Sequence, residues 1–397
     1  MTGDGTSALA GIRVLELANF MAGPYCGMLL ADMGADVIKV ENPDVGDYTR
    51  QTPPFVNGES AGFLALNRNK KSITLNLKRS EGRAIFMELA RGADVILENF
   101  RPGTMRDLGI DYDSVKAVRE DVIYCSASGF GQTGPYSQRP GFDLILQGMS
   151  GLMSITGEPE GAPVKVGVPI ADLTAALFCT YGILTAYVAR QKTGEGQLVD
   201  VSLFESAVAL AVWETSGYFA TGEVPRRLGS AHRVTAPYQA LRTRDGYITL
   251  GATTPNQWPK LCQLVGMPEL ATDPRFDSVA NRKANEQELA RILEEVLGTE
   301  TSEHWYRLFE DAFPCGVLNS YDQVLADPHL RERGFIVEME HPTASRVEAT
   351  GFPARLSETP ARIARSAPTL GQHSEEILSE LGKDPIEIAR LRAEKIV

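Results

Sequence analysis

Short apolar segments alternate with helical patterns along the first half of the chain. Residues 12–17 and 36–41 predict strands, and residues 23–33 between them predict a helix, which gives a βαβ opening. The alternation then continues with a helix at 79–91, a strand at 94–97, a helix at 112–119, a strand at 122–126, a long apolar helix at 173–189, a strand at 197–202 and a helix at 206–218. Strands that alternate with helices indicate a parallel sheet covered on both faces, and therefore an α/β fold.

The pattern changes near residue 222. The polar and basic stretch at 222–232 predicts a linker. It precedes a hairpin (238–241 and 247–251, with Asp245-Gly246 as the turn) and helices at 258–264, 281–297 and 302–312. These elements predict a smaller α+β domain. The last segment contains a strand pair at 335–340 and 345–349 and an amphipathic helix at 374–381. With 397 residues the chain is long enough for two cores, because single cores stop growing at about 250 to 300 residues.

Charge and cysteine usage exclude several classes of function. The net charge of −12 argues against nucleic acid and membrane surfaces as partners, since both attract basic proteins. The five cysteines are scattered without a C-x-x-C pair, which predicts neither a disulfide framework nor a metal site and favours a cytoplasmic location. The N-terminus shows no secretory pattern, and the apolar segment 173–189 is short for a bilayer, so it predicts a core helix.

One carboxylate stands out as a candidate for chemistry. Asp172 lies between two apolar runs, VGVPIA and LTAALFCTYGILTAYVA, so its surroundings are expected to contain little water. An aspartate at the start of a helix is often an N-cap, and capping alone explains its presence as well as catalysis does. The two interpretations are compatible, because a carboxylate at the positive end of a helix also remains available to an electrophile.

Other motifs carry weaker signals. The segment GFGQTG at 129–134 matches G-x-G-x-x-G, but the helix-breaking PYSQRPGF follows it, so a standard dinucleotide site is disfavoured and a glycine loop near Asp172 is preferred. Most of the clustered cations are interpreted as a solvated face: Lys39, Arg68, Lys70, Lys71, Lys78 and Arg106. Arg101 is the exception, because it follows the end of a predicted strand, where ligands collect in α/β folds. The five histidines are interpreted as structural.

Six stretches in order resemble the class III CoA-transferases, the family that also contains the α-methylacyl-CoA racemases. They begin with GIRVLELANFMAGPYCGMLLADMGADVIKVE from residue 11, continue with NRNKKSI (67–73), ENFRPG (98–103), SGFGQTGPY (128–136) and VGVPIADL (166–173), and end with LGQHSEEIL (370–378). The resemblance implies a Rossmann-like large domain built from both chain ends (1–221 and 335–397), a small domain with its linker at 222–334, and an interlocked ring-like homodimer. It places Asp172 at the catalytic aspartate.

The resemblance also implies which residues bind coenzyme A (CoA), which such enzymes use as a substrate and not as a tightly bound cofactor. The implied CoA-binding residues are Met21, Ala22, Asn42, Leu75, Asn76, Leu77, Lys78, Asn99, Phe100, Arg101, Arg106, Arg139, Pro140, Gly141 and Phe142. Asn42 stands where formyl-CoA transferases carry an arginine, and Asp107 occupies the usual basic position next to Arg106. The glycine loop with Gly129, Gly131 and Gly134 is expected to protect the reaction from water.

The resemblance leaves three functions to compare. A transferase would use Asp172 to form an anhydride and then an aspartyl-CoA thioester, with a dicarboxylyl-CoA such as succinyl-CoA as donor and Arg226, Arg227 or Arg233 for the distal carboxylate. A racemase needs acid and base groups on both faces of the substrate, but Phe142 occupies the position of one of them, and Thr253-Thr254 replaces an expected glutamate. A non-catalytic acyl-CoA-binding protein is the third possibility. The sequence therefore favours the transferase.

Overall fold

The computed structural model describes residues 7–397. Contacts divide the chain into two compact units. The first unit contains the chain up to Leu152 together with Lys165–Gly217 and Pro328–Val397, and the second contains Met153–Val164 and Tyr218–Asp327. The sequence pattern placed domain boundaries after residues 221 and 334.

The strands of the described residues are, in chain order, β1 (Arg13–Leu17), β2 (Asp36–Glu41), β3 (Phe55–Val56), β4 (Glu59–Ser60), β5 (Lys71–Thr74), β6 (Val95–Glu98), β7 (Ile123–Ser128), β8 (Leu198–Ser202), β9 (Tyr238–Arg242), β10 (Tyr247–Gly251), β11 (Cys315–Val317), β12 (Ile336–His341) and β13 (Ser345–Thr350).

The α-helices of the same residues are α1 (Ala22–Asp32), α2 (Ala61–Leu66), α3 (Ser80–Arg91), α4 (Thr104–Asp107), α5 (Tyr112–Lys116), α6 (Asp143–Met149), α7 (Leu152–Ile155), α8 (Ile170–Thr193), α9 (Leu203–Leu210), α10 (Val212–Thr221), α11 (Gln257–Leu264), α12 (Val279–Ala284), α13 (Glu286–Leu297), α14 (Ser302–Phe309), α15 (Tyr321–Ala326), α16 (Pro328–Glu332), α17 (Ser374–Glu380) and α18 (Pro385–Ala393).

A six-stranded parallel sheet forms the centre of the first unit, in the order β5-β2-β1-β6-β7-β8. The inner strands are buried on both faces: every residue of β6 (VILE) and β7 (IYCSAS) is buried, so neither sequence shows the regular apolar–polar alternation of a half-exposed strand. The strand order reverses between β1 and β6, and ligands in open α/β sheets bind outside the carboxyl ends of the strands at such a reversal. The predicted parallel α/β architecture is confirmed.

The edge strand β5 was missed because its sequence, KSIT, follows the cationic NRNK. The interpretation of these cations as a solvated face is wrong for Lys39, Arg68 and Lys70, which are buried. Arg68 forms an ion pair with Asp32 at 2.7 Å and donates to the Thr350 carbonyl. The periodicity of apolar residues does not reveal buried charged residues, because each of these charges is compensated by a partner that is distant in sequence.

A buried ion network lies where β1, β2 and the start of β5 meet. The Lys39 ammonium is 2.8 Å from Glu16 Oε1 and 2.9 Å from Asp47 Oδ2, and the Lys70 ammonium is 2.7 Å from Glu16 Oε2. All four side chains are inaccessible to solvent. Burial lowers the pKa of Lys70 to about 8, whereas for Lys39 the charges of Glu16 and Asp47 outweigh burial and raise the pKa. Glu16 is therefore the shared counter-ion of Lys39 and Lys70.

The helix α8 is longer than the predicted core helix and is buried on one side only. It packs against β7, β8, α1 and α9, while Leu177, Tyr181 and Val188 on the other side are 53, 69 and 54% exposed. Its length and composition would allow it to cross a membrane, and 39% of its most apolar window is buried within the protein. A single such helix is weak evidence for a membrane span, because core helices have the same composition.

The second unit contains an antiparallel sheet in the order β11-β10-β9 and the helices α11, α13 and α14 around one apolar core. The predicted hairpin is confirmed as β9 and β10. The single helix predicted over 281–297 is wrong, since α12 ends before Asn285 and α13 starts after it. The Asn285 amide donates to the carbonyls of Asn281 and Arg275, a side-chain alternative to helical hydrogen bonding. Residues 222–232, which the sequence predicts as a linker, form neither helix nor strand, and neither do residues 233–237.

The segment from Pro328 returns to the first unit. It forms the predicted β12-β13 hairpin and the predicted helix α17, which packs against β5. His373 N donates to the Ser72 carbonyl at 2.9 Å, and Asn76 N donates to the Ile396 carbonyl at 2.8 Å. The last helix, α18, was not predicted from the sequence. These contacts make residues from both ends of the chain part of one sheet-centred unit.

We predict that Glu16→Gln destabilises the protein by about 3 to 5 kcal/mol, because Lys70 and Lys39 would lose a shared buried counter-charge. The measurement is the urea dependence of the far-ultraviolet circular dichroism. The matched control is Glu375→Gln, which removes one partner of an exposed pair with Arg392 and should cost less than about 1 kcal/mol. Equal effects of the two substitutions would contradict the prediction.

Candidate active site

Asp172 lies in the first turn of α8 and is half-buried. The helix begins after Pro169, whose side chain offers no cap. Within residues 7–397 the Asp172 carboxylate accepts no hydrogen bond and forms no ion pair. The capping interpretation of Asp172 is therefore wrong, and its carboxylate is left free at the positive end of the helix.

Asp143, the first residue of α6, supplies the missing cap from another helix. Its Oδ1 accepts the backbone N–H of Ala171 at 2.9 Å, and its Oδ2 accepts the Gln147 amide at 2.7 Å. The Oε1 of Gln147 in turn accepts the N–H of Val166 at 2.9 Å. A fully buried glutamine thus connects α6, the segment before α8 and the start of α8.

The environment of Asp172 disfavours its charge. Burial raises the pKa of Asp172, and the neighbouring Asp143 carboxylate raises it further, to about 7. Both the ionised and the protonated form are consequently available near neutral pH. A carboxylate with a raised pKa and no hydrogen-bond donors is more basic, and more nucleophilic, than an ordinary aspartate.

A cavity of about 230 Å³ lies at the carboxyl ends of four neighbouring strands, β1, β2, β5 and β6. We call it the Lys78 cavity. Six of the residues predicted to bind CoA line it: Asn42, Leu75, Asn76, Leu77, Lys78 and Phe100. Lys78 is exposed and forms no ion pair within residues 7–397. The cavity therefore carries an uncompensated positive charge at the strand-order reversal.

The loop after β1 forms one wall of this cavity and is held from two sides. The Asn99 amide donates to the Asn19 carbonyl at 2.7 Å, and its oxygen accepts Asn19 N at 2.9 Å. Asp47 Oδ1 accepts Phe20 N at 3.2 Å and fixes Phe20 in the left-handed region at φ 63°. Met21 and Ala22, which were also predicted to bind CoA, follow this loop and start α1, outside the cavity lining.

A second cavity, of about 330 Å³, lies on the other side of β6, and we call it the Arg101 cavity. Arg101, Arg106 and Gln132 contribute to its lining together with the buried Glu98. Burial raises the pKa of Glu98 to about 7, and its Oε2 accepts Phe100 N at 2.8 Å. The Phe100-Arg101 corner thus has one residue in each cavity.

The glycine loop connects β7 to α6 without any helix, unlike a dinucleotide-binding turn. Gly131 and Gly134 have φ values of 84° and 85°, which only glycine adopts without strain. A Cβ on Gly129 would lie 3.1 Å from the Gly141 Cα, so the two ends of the loop meet backbone to backbone. Near its end, Arg139 stacks on Tyr136 at 3.9 Å.

The structure separates the remaining predicted residues from the two cavities. Arg139, Pro140, Gly141 and Phe142 line neither of them, and Phe142 is 70% exposed. In the second unit, the Arg227 guanidinium donates to three backbone carbonyls, and Arg233 donates to the carbonyl of Arg226. The Arg226 guanidinium has no partner within residues 7–397.

Sequence reasoning noted Asp143 only as the neighbour of Phe142 at the position of the racemase pair, and it missed Gln147, Asp47 and Glu98 as parts of the site. The one available signal was the i, i+4 spacing of Asp143 and Gln147, which places both on one face of a helix. Within residues 7–397 no group of three or more histidine, cysteine, aspartate or glutamate side chains is arranged to hold a metal ion.

A model of CoA-transferase family III matches residues 9–374. The chain belongs to that family. It is 40% identical to mouse succinyl-CoA:glutarate CoA-transferase over 380 residues, covering 95% of this chain and 87% of the relative. It is also 40% identical to succinate–glutarate CoA-transferase of Agrobacterium fabrum, covering 94% and 95% of the two chains. The predictions of this family and of a class III CoA-transferase are confirmed.

Solved structures agree with the fold. The crystal structure of a CAIB/BAIF family protein from Brucella suis superposes with a TM-score of 0.87 at 39% identity, covering 95% of this chain and all of that one. The agreement extends to the mixed α/β architecture with its large parallel sheet.

Proposed function

We propose that this CoA-transferase moves CoA from succinyl-CoA to glutarate or a similar dicarboxylic acid, with Asp172 as the covalent carrier. The observation that carries the proposal is the carboxylate itself: Asp172 is half-buried, lacks hydrogen bonds within the described residues and has its pKa raised to about 7. The substrates are proposed from the names of the relatives, which are CoA-transferases for succinyl-CoA and glutarate. These names also favour transfer over racemisation.

The proposed reaction needs one carboxylate and no cofactor beyond the CoA substrate. An Asp172 oxygen attacks the donor carbonyl, the donor C–S bond breaks, and a mixed anhydride and CoA thiolate form. The thiolate then attacks the aspartyl carbonyl, and the donor acid leaves with the oxygen that attacked it. The product is an aspartyl-CoA thioester, and an acceptor acid reverses these steps. We propose that the glycine loop at 129–134 excludes water from the anhydride.

We propose that CoA occupies the Lys78 and Arg101 cavities. Their shared corner at Phe100-Arg101 offers an aromatic ring on one side and a guanidinium on the other. Arg101, Arg106 and Lys78 supply cations for the CoA phosphates, which an otherwise acidic protein must provide locally. Asn42 and Leu75 to Leu77 complete the lining. Met21, Ala22, Asn99 and Arg139 to Phe142 are proposed as further contacts from the resemblance alone.

We also propose that the chain forms a homodimer, interlocked as the family resemblance implies. Large apolar side chains are exposed on α8, and Val212 and Trp213 at the start of α10 are 70 and 67% exposed. Monomers rarely expose extended apolar surfaces, which usually mark interfaces. A cytoplasmic location remains our proposal, supported by the acidic composition and the five unpaired cysteines.

We predict that Asp172→Asn lowers succinyl-CoA to glutarate transfer by about 10⁴-fold or more, as expected when a nucleophile is removed, while CoA still binds. Intact-protein mass spectrometry of the native enzyme mixed with succinyl-CoA should reveal a CoA adduct that the variant lacks. A native enzyme that turns over without any adduct would contradict the covalent route, and so would a variant with near-native turnover.

For the CoA site, we predict that Lys78→Ala weakens CoA binding about tenfold, because one charge-assisted hydrogen bond to a phosphate is lost. Isothermal titration with CoA measures this change. Lys260→Ala, which removes another exposed lysine on α11, is the control and should bind CoA normally. The same affinity in both variants would remove Lys78 from the site.

For the assembly, we predict that sedimentation equilibrium gives a mass of two 43.2 kDa chains. The exposed apolar residues of α8 and α10 should then be protected from solvent, which hydrogen exchange of these helices can measure. A monomer at micromolar concentration would contradict the dimer.

A further inference from the structure

Two carboxylates compete for the same helix end in the first unit. Asp143 accepts the Ala171 N–H and so occupies the anion-binding position at the start of α8. Asp172, one residue further along, is left without a hydrogen-bond donor. The stabilisation that a helix N-terminus offers to an anion is therefore given to the residue that does not react.

The position of Asp143 is fixed independently of Asp172. Gln147 donates to Oδ2 of Asp143 at 2.7 Å and is itself held by the N–H of Val166 at 2.9 Å. Each oxygen of the Asp143 carboxylate therefore has a hydrogen-bond donor. The Gln147 side chain is completely buried, whereas Asp143 is half-buried.

Other charges around α8 are compensated or have no effect on Asp172. The elements packed against α8 contribute the carboxylates Asp32 from α1, Asp200 from β8 and Glu205 from α9. Asp32 is paired with Arg68, and Asp200 accepts the N–H of Gln132. The basic residues of α8, Arg190 and Lys192, lie in its last turn. Within the described residues, Asp143 alone has a charge that shifts the pKa of Asp172.

We propose that Asp143 is an electrostatic positioning residue that drives acylation of Asp172. This inference rests on the proposed function, because it assumes that Asp172 forms the thioester. In that step the negative charge leaves Asp172 with the departing donor acid, and the repulsion between the two carboxylates ends. Asp143 thereby destabilises the free enzyme relative to the aspartyl-CoA intermediate through its charge.

The proposal ties two measurable quantities together. Protonation and acylation both remove the charge of Asp172, so the charge of Asp143 must favour both by the same factor. Removing that charge should lower the pKa of Asp172 by roughly one unit, a typical effect of a nearby carboxylate. The change is observed as a shift of the acid limb of the pH–rate profile to lower pH. The equilibrium constant for aspartyl-CoA formation should fall by the corresponding factor of about ten.

The experiment uses Asp143→Asn in the full-length enzyme. Asn keeps an oxygen for the Ala171 N–H, so the cap remains while the charge is lost. The acid limb of kcat/KM for succinyl-CoA, which reports the free enzyme, is measured between pH 5 and 9. The adduct fraction is measured by mass spectrometry at fixed succinyl-CoA and succinate concentrations. We expect the acid limb to move to lower pH and the adduct fraction to fall, while the KM for succinyl-CoA stays unchanged. Asp384→Asn, which neutralises the cap of α18, is the matched control and should change neither quantity.

In Asp143→Asn the new side-chain NH2 group can face the NH2 group of Gln147, and this contact between two hydrogen-bond donors can prevent folding. Asp143→Ser then replaces it, because a hydroxyl still caps Ala171 without carrying charge, and circular dichroism verifies the fold. An unmoved acid limb, or a limb and an adduct fraction that change by different factors, would overturn the proposal. If the native enzyme forms no adduct at all, the proposed function itself fails. If the native enzyme forms the adduct but Asp143→Asn changes neither the acid limb nor the adduct fraction, only the present inference fails.

Discussion

The shared counter-charge of Glu16 is the interaction on which the first unit depends. One carboxylate on the central strand β1 holds Lys39 from β2 and Lys70 from the start of β5 without solvent contact. Lys39 in turn holds Asp47, and Asp47 fixes the backbone of Phe20 in the loop after β1. Ion pairs of this kind contribute little net stability, but breaking one leaves an expensive buried charge, so they enforce one arrangement. That arrangement sets the walls of the Lys78 cavity.

A second constraint acts on the two carboxylates near the start of α8. The start of α8 offers one favourable position for an anion, and Asp143 takes it. The side chain proposed to do chemistry is thus kept in a poorer electrostatic environment than its neighbour. Active sites commonly place adjacent carboxylates in different environments. Here the difference arises from hydrogen-bond geometry, because the donors point at Asp143 and Gln147 and not at Asp172.

The sequence revealed the parts of this molecule whose causes are local. Strand and helix periods predicted the βαβ opening, the hairpin of the second unit and α17, and the apolar runs around Asp172 predicted its poor solvation. Contacts between distant residues were hidden. Nothing near Lys39 indicates that Glu16 will neutralise it, and nothing near Asp172 indicates that Asp143 will take its cap. That Met153–Val164 belongs to the second unit was not predicted for the same reason, since only tertiary contacts define this assignment.

The hydrogen bond from Asn76 to Ile396 affects how the enzyme is made. Residues 75–78 form one wall of the Lys78 cavity, and they obtain this backbone partner from the far end of the polypeptide. Domains generally fold as units during synthesis, in order of their emergence from the ribosome. The second unit is complete in the nascent chain once Asp327 has emerged, whereas the first must wait for nearly seventy further residues, from 328 to 396. A ribosome-bound chain that has not reached residue 396 therefore carries an unfinished wall of the Lys78 cavity, however long its earlier strands have been free to pair.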